Sequence, residues 1–374
     1  MSQDSIHQFL LPLTEASKRK GPNDKIVVSS RVRLARNVRG LAFPGWAKKP
    51  ERVKALETIQ PAVESLPQMK KHYAASMDQL SSLDKQILME RHLISREHAA
   101  KNAGSGLVVN KEESVCVMIN EEDHMRMQAL RPGFQIKEAW EDIDRADSFL
   151  ETKLDYAFTP KLGYLTACPT NLGTGIRVSA MLHLPGLVLA DQINQIIQAV
   201  SKLGLAVRGL HGEGTSADGN VFQVSNQMTL GQSEPEIVER LTKVLFQIIE
   251  HEENARTKLM EDKPKVVLNQ IGRAYGVLAN SHSISSKETM NLLSLMHLGV
   301  DLQLFPNLER PLVDELFIMT QPGHLQSLVT DKPSTEKLGA EERDVLRADM
   351  LRERLAKVSR PVAPPAPPAD SKAD

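Results

Sequence analysis

Strand-forming runs in this chain stop at about residue 229, and every patterned segment from residue 234 onward is helical. That one-way change limits the folds open to it. Residues 25–34 read as a strand, β-branched at first and alternating from Ser30. Further strand runs cover 114–119, 163–167, 178–184, 207–210 and 221–229. Helical patterns cover 49–66, 84–94, 135–157 and 186–203. The two kinds mix without strict βαβ alternation, which predicts an α+β fold with an antiparallel or mixed sheet flanked by helices. Residues 234–258 form the clearest helix. Ser233 and Glu236 make a capping-box pair, and Ile237, Leu241, Val244, Leu245 and Ile248 keep a 3.6-residue period. Glu261-Asp262-Lys263-Pro264 then punctuates the chain, and 266–357 reads as several helices, among them 286–298 and 341–357. The predicted organisation is an N-terminal segment at 1–24, a mixed unit at 25–258 and a smaller all-helical unit at 265–358. A Pro/Ala-rich tail at 361–374 is predicted to be disordered.

Composition removes several functions. The length of 374 residues suits roughly two domains of about 100–200 residues each. A balance of 46 Lys+Arg against 47 Asp+Glu argues against a general polyanion binder, though not against a local basic site. Aromatic residues at 4% argue against stacking platforms for single-stranded nucleic acid. The two isolated cysteines, Cys116 and Cys168, exclude a disulfide scaffold and fit a reducing compartment. No run approaches the ~18 apolar residues of a membrane span, and the N-terminus lacks the basic-then-apolar order of a signal peptide. The expectation is a soluble, cytoplasmic protein.

There is no G-x-x-x-x-G-K-[ST] loop, no G-x-G-x-x-G after a strand, no H-E-x-x-H, no C-x-x-C and no G-x-S-x-G. The residues that carry chemistry lie in four segments. They are Ser29-Ser30-Arg31-Val32-Arg33; Asn120-Glu121-Glu122-Asp123-His124-Met125-Arg126; the segment from Cys168 through Gly173-Thr174-Gly175 to Arg177; and Val207-Arg208-Gly209-Leu210-His211-Gly212-Glu213-Gly214. Each places an arginine, whose planar fork holds phosphate oxygens without losing its charge. Alternation puts Arg31 and Arg33 on one face, opposite Val32 and Leu34. Several converging arginines would hold a nucleoside triphosphate without a phosphate loop. Gly173 and Gly175 would let the backbone approach a ligand closely. Taken singly, each feature has an ordinary reading: a solvated strand face, an exposed acidic turn, a surface loop at 212–219, a small buried cysteine, structural histidines at 124 and 183.

In their order and spacing the four segments resemble the catalytic domain of the phosphagen (guanidino) kinases. The strings SSRVR, NEEDH-x-R and CPTNLGTG-x-R, spread over about residues 25–255, carry the resemblance. Within that family the chain resembles the bacterial protein-arginine kinases. Only 28 residues precede Ser29, where kinases of small guanidino compounds carry a helical domain, and here the helical part follows instead. Arg343-Asp344-Val345-Leu346-Arg347-Ala348 also matches that branch's R-D-x-x-R-A motif, which is weak alone and specific in this context.

The resemblance implies transfer of the γ-phosphoryl of ATP to a guanidinium nitrogen. A protonated guanidinium, with pKa above ~12, is a poor nucleophile. By family position Glu122 orients it and takes a proton, while Glu213 clamps its other nitrogens. Family position also assigns the nucleotide to Ser29, Ser30, Arg31, Val32, Arg33, His92, Arg126, Arg177, Val178, Ser179, Ala180, Met181, Arg208, Gly209, Leu210, His211, Gly212 and Glu213. Five of these, Arg31, Arg33, Arg126, Arg177 and Arg208, would cradle phosphate oxygens that carry the charge of a loose transition state. Mg2+ would ride on the ATP phosphates and water, so no protein metal site is expected. Cys168 matches the family's cysteine near the substrate, in a supporting role, and neighbouring arginines would make it redox-sensitive. Arg343–Ala348 would bind phosphoarginine allosterically. Implied partners are proteins with exposed arginine, a Clp-type AAA+ unfoldase, a zinc-binding activator protein, a stress-response repressor and a second copy of the chain. No nucleic acid and no membrane is implied. The apolar run at 290–296 suits an interface and a helical core equally. Two rival readings are a small-guanidine phosphagen kinase and a non-catalytic phosphoarginine reader. The five arginines and both carboxylates argue against the second.

Overall fold

The computed structural model describes residues 6–16, 18–209, 217–329 and 338–363. Among them run ten strands: β1 (Val27–Arg36), β2 (His72–Ser76), β3 (Gly106–Asn110), β4 (Val115–Ile119), β5 (Met125–Pro132), β6 (Phe158–Thr159), β7 (Gly163–Tyr164), β8 (Ile176–His183), β9 (Leu205–Gly209) and β10 (Val221–Asn226). Eight form one sheet in the order β2-β3-β4-β5-β1-β8-β10-β9, and β6 and β7 make a separate hairpin. Every neighbouring pair in the large sheet is antiparallel. The expected α+β class with an antiparallel sheet is what the chain adopts.

One face of the sheet is apolar. Val32, Leu34, Val178 and Ala180 point into a core shared with Ile143, Ala146 and Leu150 of helix Ile136–Glu151, and with Leu241, Leu245 and Ile248 of helix Glu234–Asp262. Burying each such side chain fully is worth roughly 1.5–3 kcal/mol. This covered face leaves the opposite one for polar residues. Helix Glu234–Asp262 starts at the expected capping box, with the Ser233 amide donating to Glu236 Oε2 at 2.7 Å.

Some elements differ from the sequence pattern. β2 and β5 carry no strong strand signal, whereas β3 holds a short Leu107-Val108-Val109 run between Gly106 and Asn110 that the expected strands left out; β5 is rich in Met, Gln, Ala and Arg, and becomes a strand because β1 and β4 pair with it on both sides. The expected 163–167 strand shrinks to two residues. The expected helix at 135–157 ends at Glu151. The one at 186–203 divides into Pro185–Leu189 and Ile193–Lys202, with Asp191 between them at φ +58°. Most of the 361–374 tail lies outside the described residues.

Lys263, at φ −137° and ψ 44°, ends the long helix, and Pro264 starts the next. The helices that follow are Pro264–Asn280, Ser286–Asp301, Arg310–Met319, Pro322–Ser327 and Ala340–Leu355. They bury their own apolar cluster, including Ile271, Leu293, Met296, Leu316 and Leu351. The run at 290–296 thus contributes to a helical core. A buried polar network fastens this bundle to the sheet. Arg256 bonds Glu252 and Asp301, Arg310 bonds Asp301, and His183 and His297 meet Nδ1 to Nδ1 at 3.3 Å. Donor atoms of His183, His297 and Asp301 lie within 4.8 Å of one another. Two guanidinium groups already neutralise Asp301, and His183 accepts or donates to Ser294 at 2.8 Å, so hydrogen bonding satisfies this cluster.

Candidate active site

Strand register places the arginines. Arg33 lies opposite Arg177 and Gln128, Arg31 opposite Ser179, Ala35 opposite Arg126, and Gln223 opposite both Met181 and Arg208. Directly opposed residues share a face. Arg31, Arg33, Arg126, Arg177 and Arg208 therefore project from the side away from the core, across β5, β1, β8 and β9. All five line one open cleft of about 1660 Å³.

The cluster repels itself. Burial, then Arg126 and Arg177, push Arg31 down to about 10. Arg33 falls well below its ordinary value through burial and then through Arg31, Arg126 and Arg177. Burial, then Arg208 and Arg126, lower Arg177. Arg31 donates to Gln223 Oε1 at 2.7 Å, and Arg177 to the Asn226 carbonyl at 3.0 Å. The buried Nε of Arg33 has no hydrogen-bond partner. Concentrated positive charge with an unspent buried donor is the complement of a polyphosphate.

An acidic hairpin turn between β4 and β5 forms the other side. Asn120, at φ +56°, pins it by donating to the carbonyls of Gly104 at 2.7 Å and Arg52 at 2.9 Å. Its two glutamates then meet opposite environments. Burial raises the pKa of Glu121, but the Arg126 guanidinium at 2.6 Å, the Ser95 hydroxyl and the Glu122 amide together outweigh it, and the net shift is downward. Glu122 is exposed to the cleft, and its pKa rises through partial burial, then through Asp123 and Glu121. Glu121 is thus a fixed counter-ion of the cradle, and Glu122 is a carboxylate suited to proton transfer. Asp123 is buried and accepts from Asn37 Nδ2 at 2.6 Å and the Ala167 amide at 2.7 Å, which ties the hairpin to the segment bearing Cys168. His124 Nδ1 accepts from the Val38 amide and Nε2 donates to the Ala42 carbonyl, both at 3.1 Å, a neutral structural arrangement.

The other expected positions separate into three groups. Ser29, His92, Cys168, Met181 and Gly209 line the cleft. His92 sits at φ +59° with its carbonyl held by Gln128 Nε2 at 2.9 Å; Cys168 Sγ is 3.0 Å from Thr170 Oγ1. Val32, Val178 and Ala180 turn their side chains into the core, and Ser30 is buried against Gly133 and Gln135. Ser179 is buried beside Arg31. Leu210, His211, Gly212 and Glu213 lie outside the described residues.

Gly173 and Gly175 allow a close approach, but to the protein itself. A Cβ on Gly173 would sit 2.6 Å from the Thr229 carbonyl, and one on Gly175 2.7 Å from the Ala35 carbonyl, with φ at +104° and +65°. They let the loop before Arg177 press onto β1 and the 229–230 segment rather than onto a ligand. Four residues with a part in the site escaped the sequence reading: Glu121 as counter-ion, Gln223, Asp123, and Arg36. Arg36 is buried, pairs with Asp147, stacks 3.5 Å over the Tyr164 ring and bonds the Thr174 carbonyl at 2.8 Å. Alternation in β10, which opposes Gln223 and Ser225 to Val224, was the one available signal.

Arg343–Ala348 lies on helix Ala340–Leu355. Arg347 is 1% exposed and donates to the carbonyls of Thr320 at 2.9 Å and Ile284 at 2.8 Å as well as to Asp344. Arg343 is more open and donates to the Leu338 carbonyl at 2.6 Å. Nearby, Glu90 accepts from the amides of Gly323 and His324 and from His324 Nδ1, joining the helical part to the turn that carries His92.

Comparison with known proteins agrees with this geometry. The family model "ATP:guanido phosphotransferase, C-terminal catalytic domain" matches residues 54–255, and "Protein-arginine kinase McsB C-terminal domain" matches 264–365. Proteins named protein-arginine kinase are similar over nearly the whole chain. That of Bacillus licheniformis is 45% identical, covering 94% of this chain and 96% of the relative. That of Bacillus subtilis is 44% identical, covering 92% and 93%; that of Halothermothrix orenii is 42% identical, covering 90% and 95%. Among solved structures, a lombricine kinase superposes with TM-score 0.55 at 28% identity, over 67% of this chain and 72% of that one. A taurocyamine kinase from Schistosoma mansoni gives 0.57 at 25%, over 74% and 41%. An arginine-studded antiparallel sheet facing an acidic hairpin, both family models and these relatives converge: the chain belongs to the ATP:guanido phosphotransferase family, in its protein-arginine kinase branch.

Proposed function

We propose that this chain transfers the γ-phosphoryl group of ATP to guanidinium nitrogens of arginine residues in proteins. The observation that carries the reading is the opposition of five arginines on one sheet face to the exposed carboxylate of Glu122. The arginines neutralise the triphosphate and the charge that develops on its transferring oxygens. Glu122 binds the guanidinium and accepts its proton as the N–P bond forms and the bond from the γ-phosphorus to the bridging oxygen breaks, releasing ADP. Glu121 keeps Arg126 in place without competing for that proton. Glu213 is assigned the second clamp on the resemblance alone. Mg2+ would be carried on the ATP phosphates and would supply further positive charge beside Arg31, Arg33 and Arg177.

The reading extends to a catalytic domain at 25–258 and a helical domain at 265–358, the latter carrying phosphoarginine recognition and dimerisation. Arg343, more open than Arg347, is the residue assigned to the phosphoarginine contact. Marking of proteins for a Clp-type unfoldase, a zinc-binding activator and a stress-response repressor as partners, and a cytoplasmic location rest on the resemblance and on two free cysteines. Among the described residues no helix is long and apolar enough to cross a membrane. The deciding experiment is incubation with Mg-ATP and an unfolded arginine-rich protein, followed by mass-spectrometric mapping of acid-labile phosphoarginine. Phosphorylation of free arginine in preference to the protein would move the chain to the small-guanidine kinases. ATP binding without transfer would make it a reader.

A further inference from the structure

The turn ahead of helix Lys49–Glu64 carries Trp46, which is 90% exposed. The chain has two tryptophans, and the other, Trp140, donates its indole N–H to Glu234 at 2.9 Å. Scattered exposed apolar residues are normal on a surface. Trp46 differs because its turn is fixed. The amides of Trp46 and Ala47 both donate to the Phe43 carbonyl at 2.9 Å, and Pro44 is buried.

The turn is also tied to the acidic hairpin at two points. The Ala42 carbonyl accepts from His124, and the Phe43 ring sits edge-on to the His124 ring at 5.9 Å. Arg52 donates to the Ala47 carbonyl at 2.7 Å, while its own carbonyl accepts from Asn120. Gly45, adjacent to Trp46, lines the same cleft as Glu122 and Cys168. These ties fix the turn that carries Trp46 against the acidic hairpin, with Gly45 on the cleft. The chain of contacts continues past Cys168. Thr229 Oγ1 donates to the Leu172 and Thr170 carbonyls at 2.6 and 3.0 Å, and its neighbours Met228 and Leu230 are 66% and 49% exposed. Exposed apolar side chains thus stand beside both segments that carry cleft residues, Trp46 by the hairpin of Glu122 and Met228 and Leu230 by the loop of Cys168. A free amino acid has no flanking chain to meet these side chains, whereas an arginine within a polypeptide brings one on each side.

We propose that Trp46 is a specificity-determining contact for the polypeptide flanking the acceptor arginine, an inference that rests on the protein-arginine kinase reading above. A rigid indole offers a large flat surface and one donor at little entropic cost. It tolerates many flanking sequences, and it favours extended or unfolded segments that lie flat against it.

The test compares Trp46→Ala and Trp46→Phe with the unaltered full chain, with Mg-ATP and two acceptors, β-casein and N-acetyl-arginine amide. The expected result for Trp46→Ala is a rise of about tenfold or more in KM for β-casein, with kcat, the KM for ATP and turnover of the capped arginine unchanged. Trp46→Phe should restore most of the loss. In a Trp140→Phe background, Trp46 fluorescence should shift to the blue when a tryptophan-free arginine peptide binds. An unchanged KM for β-casein, an equal loss on both acceptors, or no spectral shift overturns the proposal. Failure of the unaltered chain to phosphorylate either acceptor overturns the functional reading instead, so the two failures are distinct.

Discussion

Glu121→Gln removes one negative charge from beneath the arginine cradle and leaves the side-chain shape almost unchanged. The Glu121 side chain is 2% exposed and pairs at 2.6 Å with Arg126, whose side chain is 26% exposed. Breaking a buried pair costs about 3–5 kcal/mol. Water reaches part of Arg126 and reduces the expected loss to about 2–3 kcal/mol at pH 7. The pH dependence has a definite sign. The folded-state pKa of Glu121 lies below its unfolded value, so the ionised carboxylate stabilises the fold above the usual glutamate value of about 4.3. That contribution disappears as pH falls through the folded-state value. Urea unfolding of the two proteins should differ at pH 7 and converge in acid. Nucleotide binding should respond in the opposite direction. The variant's cleft is more positive by one charge, so Mg-ATP should bind at least as tightly, and ligand at about 100 Kd should add about 2.7 kcal/mol to either protein. Turnover should fall, because Arg126 loses the partner that orients it. Unfolding curves with and without Mg-ATP, taken from pH 7 down to well below the usual glutamate value of about 4.3, together with kcat and the KM for ATP, check these points. A loss below about 1 kcal/mol, or one that persists undiminished in acid, would refute the counter-ion role.

Glu122→Gln should lower phosphoryl transfer by about 10²–10⁴-fold while leaving ATP binding and the unfolding midpoint unchanged; near-normal turnover would remove Glu122 as the base. The raised pKa of Glu122 should move the acid limb of kcat/KM upward from where an ordinary glutamate would set it, and Glu97→Gln, which deletes one of the like charges responsible, should move that limb to lower pH in a pH–rate profile. Arg347→Ala should destabilise the protein by about 2–4 kcal/mol, since it strands two carbonyls and Asp344. Arg343→Ala should stay within about 0.5 kcal/mol of the unaltered protein and abolish stimulation by phosphoarginine, leaving basal activity intact. Stimulation that survives in Arg343→Ala counts against an allosteric site there.

Much of the scaffold was legible locally. The face that carries Arg31 and Arg33 follows from alternation, because strand side chains alternate whatever the strand pairs with. The start of helix Glu234–Asp262 follows from a capping box that closes within four residues. β5 was not legible. Its Met, Gln, Ala and Arg side chains carry a helical preference, and pairing with β1 and β4 overrides it. The place of Arg126 in the cradle depends on that pairing, which sets it opposite Ala35 of β1. The two glycines before Arg177 are sites of close approach, but to the protein's own backbone and not to a ligand. What approaches them, Thr229 and Ala35, lies far away in sequence.

Residue types and their order were enough to point to the family and the reaction class. Long motif strings depend on the chain alone. The division of labour between Glu121 and Glu122 does not. The two are adjacent and chemically alike, and no periodicity separates them. Arg126 and Ser95 reach Glu121 from other parts of the chain and hold its proton off, while Asp123 and Glu121 press on Glu122 and raise its affinity for one. A carboxylate's role depends on the charges and donors within a few ångströms of it. Only the tertiary fold decides which groups those are.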